Sequence, residues 1–258
     1  MVATYSYMSD AEAAAVVKAS HEAFLQWRLR SLDERATVIA GIAKALRERK
    51  EEFAQLMTDE VGKLIEDSRT EIELCAGICD YTAKQGPVVL ADEERAVDGA
   101  TGIVTHAPIG VVYGIQPWNF PAYQAIRYSI ASLMAGNGVL LKHAESCTGS
   151  GLLLRDIYES AGLPKGLFGV LLISHDQSND IVENDLVRAV TLTGSEAAGR
   201  TVAAKAGAAP QEKPCLSWAP TTPIWCWTTP TWTWPWRPAS RAACSTTGRP
   251  ASTPSASS

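Results

Sequence analysis

Gly114-Ile115-Gln116-Pro117-Trp118-Asn119-Phe120-Pro121 joins two segments of different hydrophobic period. The apolar run Ile109 to Tyr113 leads into it, and an amphipathic segment, Tyr123 to Ala135, follows. A short apolar run before and a helical period after make it a strand-to-helix junction. Two prolines restrict the backbone between those elements, so Trp118 and Asn119 stand on a rigid loop. Such a loop can hold an amide donor and a flat aromatic wall beside a reactive centre.

Downstream, strand and helix alternate. The helix from Tyr123 stops at Gly136-Asn137-Gly138, a fitting C-terminal signal. Val139 to Lys142 reads as a short buried strand, Ser150 to Ser160 as a helix and Phe168 to Ile173 as a strand. A short helix over Ser178 to Glu183, a strand over Val187 to Thr193 and a helix from Glu196 to about Ala206 complete the series. This alternation predicts an α/β fold, a Rossmann-like parallel sheet with flanking helices. In such sheets ligands lie beyond the carboxyl ends of the strands, where Asn119, Lys142 and Ser195 fall.

Upstream, the first 95 residues read as helices. Ser9-Asp10-Ala11-Glu12 and Ser31-Leu32-Asp33-Glu34 are capping-box patterns, each followed by apolar residues at helical spacing. Cys75 and Cys79, four apart, read as small core-facing residues, since no further cysteine or histidine lies near enough to complete a metal set. Thr101 to His106 reads as a strand.

Composition narrows the partners. A net charge of −5 and a pI near 5.5 argue against nucleic acid or an anionic membrane as the main partner. No apolar run approaches the ~20 residues of a membrane span, and Met1 to Tyr7 lacks the features of a signal peptide. Six cysteines scattered over 258 residues do not form a disulfide framework. The expectation is a cytoplasmic, reducing location.

After about Ala209 the composition changes abruptly. Six of eight tryptophans and nine of fourteen prolines lie there, with no acidic residue after Glu212 and no lysine after Lys213. Neither helical nor strand period survives. The expectation is a folded domain over 1–209 and a disordered Trp/Pro-rich tail over 210–258.

Three places carry candidate chemistry. Leu192-Thr193-Gly194-Ser195 ends a strand and opens a helix, so it can receive a phosphate on free N–H groups or serve only as a cap. Lys142 and Glu145, three apart beyond a strand, can hold the two hydroxyls of a ribose or form a solvated pair. Asn119 can donate to an oxyanion or act as a turn residue. The four histidines show no ligand spacing and read as surface or core residues, and no metal site is expected.

Taken together, residues from about 10 to 209 resemble the NAD(P)-dependent aldehyde dehydrogenases, in particular the succinate-semialdehyde dehydrogenase branch. The carriers are Pro117-Trp118-Asn119-Phe120-Pro121, Met134-Ala135-Gly136-Asn137, Leu141-Lys142-His143-Ala144, Ala161-Gly162-Leu163-Pro164 and Thr193-Gly194-Ser195-Glu196. The resemblance implies that Asn119 donates its amide to the oxyanion of a thiohemiacetal. Trp118 and Ile115 would line the cofactor cleft, Lys142 and Glu145 would bind the adenosine ribose, and Gly194 and Ser195 would meet the pyrophosphate. A carboxylate at position 145 implies NAD in preference to NADP. The implied substrate is a small aldehyde, and the implied assembly is a homo-oligomer through a hairpin near Thr101 to Pro108.

The family's chemistry also needs a cysteine nucleophile and a glutamate general base. In the family these lie in E-L-G and G-Q-T-C-like segments downstream of Gly194-Ser195, and neither is legible here. The chain is about half the length of an ordinary member, so the catalytic domain is expected to be absent. Read one frame over, each Trp-Thr step becomes GAC, aspartate. Leu216-Ser217-Trp218-Ala219 then permits E-L-G, Trp227 to Pro235 permits D-D-A-D-(L/V)-D-(L/V)-A, and Thr246 to Ala251 permits N-N-G-(Q/E)-T-C. Three family segments in the correct order point to a one-base frame change between about Ala209 and Pro214. Cys244 is not the displaced nucleophile, since the shifted frame puts that thiol at Pro250-Ala251. The expectation is an inactive member of an enzyme lineage; the alternative is a non-catalytic nucleotide-binding fragment or partner of full-length subunits.

Overall fold

In the computed structural model, residues 3–209 are described, together with the backbone of 215–219 and 222–226. The chain divides into two units, Met1–Thr228 and Thr229–Ser258, and every described residue lies in the first.

Four helices come first: α1 (Asp10–Trp27), α2 (Leu32–Glu48), α3 (Lys50–Val61) and α4 (Ile65–Val89). Both expected capping boxes form. Ser9 accepts from the backbone of Glu12 and Ser31 from that of Glu34, while each glutamate reaches back to its N-cap. The charged cluster from Arg47 to Glu52 marks the break between α2 and α3. Helix does not fill the first 95 residues, however, because an antiparallel hairpin of β1 (Glu93–Val97) and β2 (Ala100–Val104) begins at Glu93. Charged Glu93, Glu94 and Arg95 obscure the strand alternation there, and nearly the whole hairpin is exposed.

The alternating half follows as β3 (Val111–Gln116), α5 (Pro121–Met134), β4 (Gly138–His143), α6 (Thr148–Ser160), β5 (Phe168–Val170), α7 (His175–Glu183), β6 (Val187–Thr193) and α8 (Glu196–Ala208). β5 pairs for only three residues, so Leu171 to Ile173 are not strand as the sequence had suggested. α7 starts three residues earlier than the apolar pattern indicated, because Ser174 and Gln177 form a third capping box.

Sheet order is β5-β4-β3-β6-β7-β8. β3 is parallel to both β4 and β6, so the chain winds outward from β3 first one way and then the other. That reversal creates a switch point between the carboxyl ends of β3 and β6. Alternate residues of β4 feed two cores, with Val139 and Leu141 in one and Leu140 in the other. The first core packs α2 to α6 against the sheet; the second packs α7, α8 and the start of α1 on its opposite face.

No regular structure was expected beyond 209, yet β7 (Cys215–Ala219) pairs parallel to β6 and β8 (Thr222–Cys226) pairs antiparallel to β7. Without β7, β6 would present a row of unpaired backbone groups at a sheet edge, and an extended segment following α8 can satisfy them with little regard to side-chain identity. The rest of the Trp/Pro-rich segment, including Cys244, lies outside the described residues.

Candidate functional site

At the switch point the ends of β3, β4 and β6 enclose a cavity of about 390 Å3 with α7 and α8. Its walls include Ile115, Gln116, Lys142, His143, Thr193 and Gly194. Three of the seven candidate residues therefore meet here: Ile115, Lys142 and Gly194. The volume suits a nucleoside-sized group.

Lys142 is 5% exposed, and burial pushes its ammonium below the ordinary lysine range, against a smaller opposing pull from Glu145. Its ammonium makes no hydrogen bond or salt bridge with any described residue. Gln116 is equally buried, and its Oε1 has no partner among the described residues. A buried cation without a partner fits a ligand rich in hydroxyl and phosphate oxygens, while Gln116, cross-strand partner of His143, occupies the alternate position to the Ile115–Lys142 pair. Gly194 brings the backbone to the cavity just before the first turn of α8, whose N–H groups favour an anion. Ser195 is spent otherwise: it is exposed, and its hydroxyl accepts from Ala198 N at 3.3 Å as the N-cap.

Two other candidates sit on the loop between β3 and α5. Trp118 is 58% exposed, and Asn119 is exposed with no hydrogen bond to a described residue. What holds the loop is buried. His143 Nδ1 accepts from Ala144 N at 2.9 Å, so Nε2 carries the proton and donates to Pro121 O, also at 2.9 Å. Burial pushes this imidazole down to about 4, so it is neutral at physiological pH. Glu71 on α4 accepts from Tyr123 N at 2.9 Å and pairs with Lys63, whose ammonium lies 3.9 Å from the centroid of the Phe120 ring. Glu71 thus supplies the carboxylate that the N-terminus of α5 lacks locally.

A close approach sets the base of this loop. Tyr128 of α5 donates to Leu140 O across Gly114, where an added Cβ would come within 2.2 Å of the ring. Only glycine permits that crossing.

Glu145 does not line the switch-point cavity. It faces a neighbouring one of about 380 Å3, bounded by Tyr5, Tyr7, Thr148 and Leu171 to Ile173, where its carboxylate accepts from the Tyr7 hydroxyl. Among the described residues no cluster suits a metal ion. Cys147 is the thiol beside the loop, 3.8 Å from Trp118 O, but burial pushes it up to about 12 and so keeps it protonated. Cys75 and Cys79 are buried core residues whose thiols are likewise raised by burial.

Sequence reasoning missed Gln116, Glu71, Lys63 and Tyr7. Gln116 could have been suspected from its place at the last position of β3, directly before Pro117. The other three act across 8, 52 and 138 residues of chain, and no local pattern marks them.

A doubly wound sheet with a mostly apolar cavity at its switch point, into which a buried lysine is set, defines the cofactor-domain class of α/β proteins. Residues 1–217 match the profile of the aldehyde dehydrogenase family, and the chain belongs to that family of oxidoreductases. It is 38% identical over 206 residues to the NADP(+) succinate-semialdehyde dehydrogenase of Deinococcus radiodurans, covering 80% of this chain and 43% of that protein. It is 39% identical over 186 residues to the NAD(P)+ succinate semialdehyde dehydrogenase of Escherichia coli K12, covering 72% and 40%. The crystal structure of succinic semialdehyde dehydrogenase from Streptococcus pyogenes in complex with NADP+ superposes with a TM-score of 0.79 at 31% identity, covering 83% of this chain and 47% of that one. The chain therefore spans under half the length of the relatives it matches. Among the described residues no helix is long and apolar enough to cross a membrane.

Proposed function

We propose that this chain is the cofactor-binding part of a succinate-semialdehyde-type aldehyde dehydrogenase, able to bind NAD(P) but not to oxidise aldehyde. The observation that carries the reading is the convergence of Ile115, Lys142 and Gly194 on one cavity at the switch point. Lys142 would hold ribose oxygens, the N–H groups after Gly194 would receive the pyrophosphate, and Ile115 and Trp118 would wall the cleft. When bound, the dinucleotide supplies the hydride acceptor. Asn119, exposed on its braced loop, would aim its amide at the substrate oxygen.

Inactivity rests on the nucleophile. The three cysteines whose side chains are described are buried with raised thiols, and no cysteine or glutamate segment of the family's kind is legible after Ser195. The named relatives weigh toward NADP, and a carboxylate at position 145 would weigh toward NAD only from inside the cavity, which Glu145 does not line. A homo-oligomer would form through the β1–β2 hairpin, which exposes Val97, Ile103 and Val104.

Titration of the full 258-residue chain with NAD and with NADP, followed by calorimetry, tests the reading. Binding is expected, and Lys142→Ala should weaken it about tenfold through loss of charged hydrogen bonds. Succinate semialdehyde added to the complex should yield no reduced cofactor. Absence of binding would sink the proposal; reduced cofactor appearing would sink its inactive half.

A further inference from the structure

Glu145 follows β4 on a short 3-10 turn, Glu145–Cys147, only three residues after Lys142, yet the two side chains serve different cavities. His143 is the wall common to both. On the far side of that wall the Glu145 carboxylate accepts a hydrogen bond from Tyr7, 138 residues earlier in the chain. Tyr7 is not on a loose end. Its neighbour Met8 donates through N to Leu172 O at 2.8 Å, and Gln177 Nε2 donates to Met8 O at 2.9 Å and to Asp10 Oδ1 at 2.7 Å. Ser9 then caps α1, so the tyrosine enters from a strap fastened on both sides of position 8.

We propose that Tyr7 is a positioning residue that holds the Glu145 carboxylate out of the switch-point cavity and thereby lets that cavity accept a ribose 2′-phosphate. The inference rests on the dinucleotide reading given above. With Glu145 turned away, the wall nearest the ribose offers the unpaired ammonium of Lys142 and a neutral His143. A dianionic 2′-phosphate meets one positive charge in that wall, and the nearest carboxylate, Glu145, lies outside it. With Glu145 turned inward, its carboxylate would accept from a free 2′-hydroxyl and repel a phosphate, favouring NAD. One phenolic hydroxyl thus selects between two ligand charges without touching the ligand.

Tyr7→Phe removes the hydroxyl and keeps the ring, and Tyr7 is 55% exposed, so folding should be unaffected. The measurement is the ratio of NAD to NADP dissociation constants, by calorimetry on the full chain. Tyr7→Phe should shift preference toward NAD by about three- to tenfold, the range one hydrogen bond spans. In a Glu145→Gln background the same change should leave the ratio still. Both cofactors binding with an unaltered ratio in Tyr7→Phe would overturn the role of Tyr7 while leaving the dinucleotide reading intact. An equal shift in the Glu145→Gln background would show that Tyr7 does not act through Glu145. Failure of the unaltered chain to bind either cofactor would instead remove the dinucleotide reading, and this inference with it.

Discussion

His143 occupies a position where its neutrality holds two backbone segments together, and that has a measurable consequence. Its Nδ1 accepts from Ala144 N while Nε2–H donates to Pro121 O, so a second proton would break the first bond inside the protein. The ordinary imidazole titrates near 6.5, and in the folded chain burial pushes this one down to about 4. Between those values the unfolded chain binds a proton that the folded chain refuses. Stability should therefore be flat with respect to this group above pH 6.5 and fall as pH drops toward 4, by on the order of 3 kcal/mol. Urea midpoints over that range, compared with His143→Gln, isolate the contribution: identical slopes would show that the ring is not buried neutral. In the sequence this histidine reads equally as a core or a surface residue. Its neighbours Lys142 and Ala144 gave no sign of the proline carbonyl 22 residues away that fixes its tautomer.

At the scale of elements, the helices differ in where their first-turn N–H groups find partners. α1, α2 and α7 are capped from within by a serine and a glutamate or glutamine three residues apart, and two of these boxes were legible in the sequence. α5 and α6 are capped from outside. Glu71 serves α5 from 52 residues away, and Glu60 serves α6 by accepting from Gly149 N, Ser150 N and the Ser150 hydroxyl. Glu71 is 3% exposed and paired with Lys63, so Glu71→Ala leaves a mostly buried ammonium without its carboxylate and a helix N–H without its acceptor. The expected cost is about 3 kcal/mol in urea unfolding. Faster hydrogen exchange at Tyr123 N–H should accompany it, since the loop bearing Trp118 and Asn119 loses its brace. Unaltered exchange there would mean that Pro121 and His143 suffice to hold the loop.

For the whole molecule, the order of elements from β3 to α8 follows from alternating periods in the sequence, and a parallel sheet follows from their spacing. The strand order does not. Placing β6 beside β3 required the tertiary structure, and with it came the switch point that unites Ile115, Lys142 and Gly194. The Trp/Pro-rich segment poses the opposite case, since β7 and β8 join a sheet that their sequence did not predict. If a one-base frame change lies between codons 209 and 214, a gene with that base corrected should encode the E-L-G and N-N-G-(Q/E)-T-C segments. Its product should reduce NAD(P) with succinate semialdehyde, and the present chain should not. A corrected product that binds cofactor yet stays inactive would sink the frame account.

The family resemblance, the alternation of strand and helix, the rigid loop at Pro117 to Pro121 and two helix caps are all legible along the chain. All of these are local, because period, capping and proline geometry act within a few residues. Packing between distant segments settles which candidates share a cavity and which do not. It brought Lys142 and Gly194 together, left Asn119 and Trp118 exposed on their loop, spent Ser195 on a cap and turned Glu145 toward Tyr7. The reason is physical. A side chain's reach is a few ångströms, and the partners within that reach are chosen by packing between segments far apart in the chain.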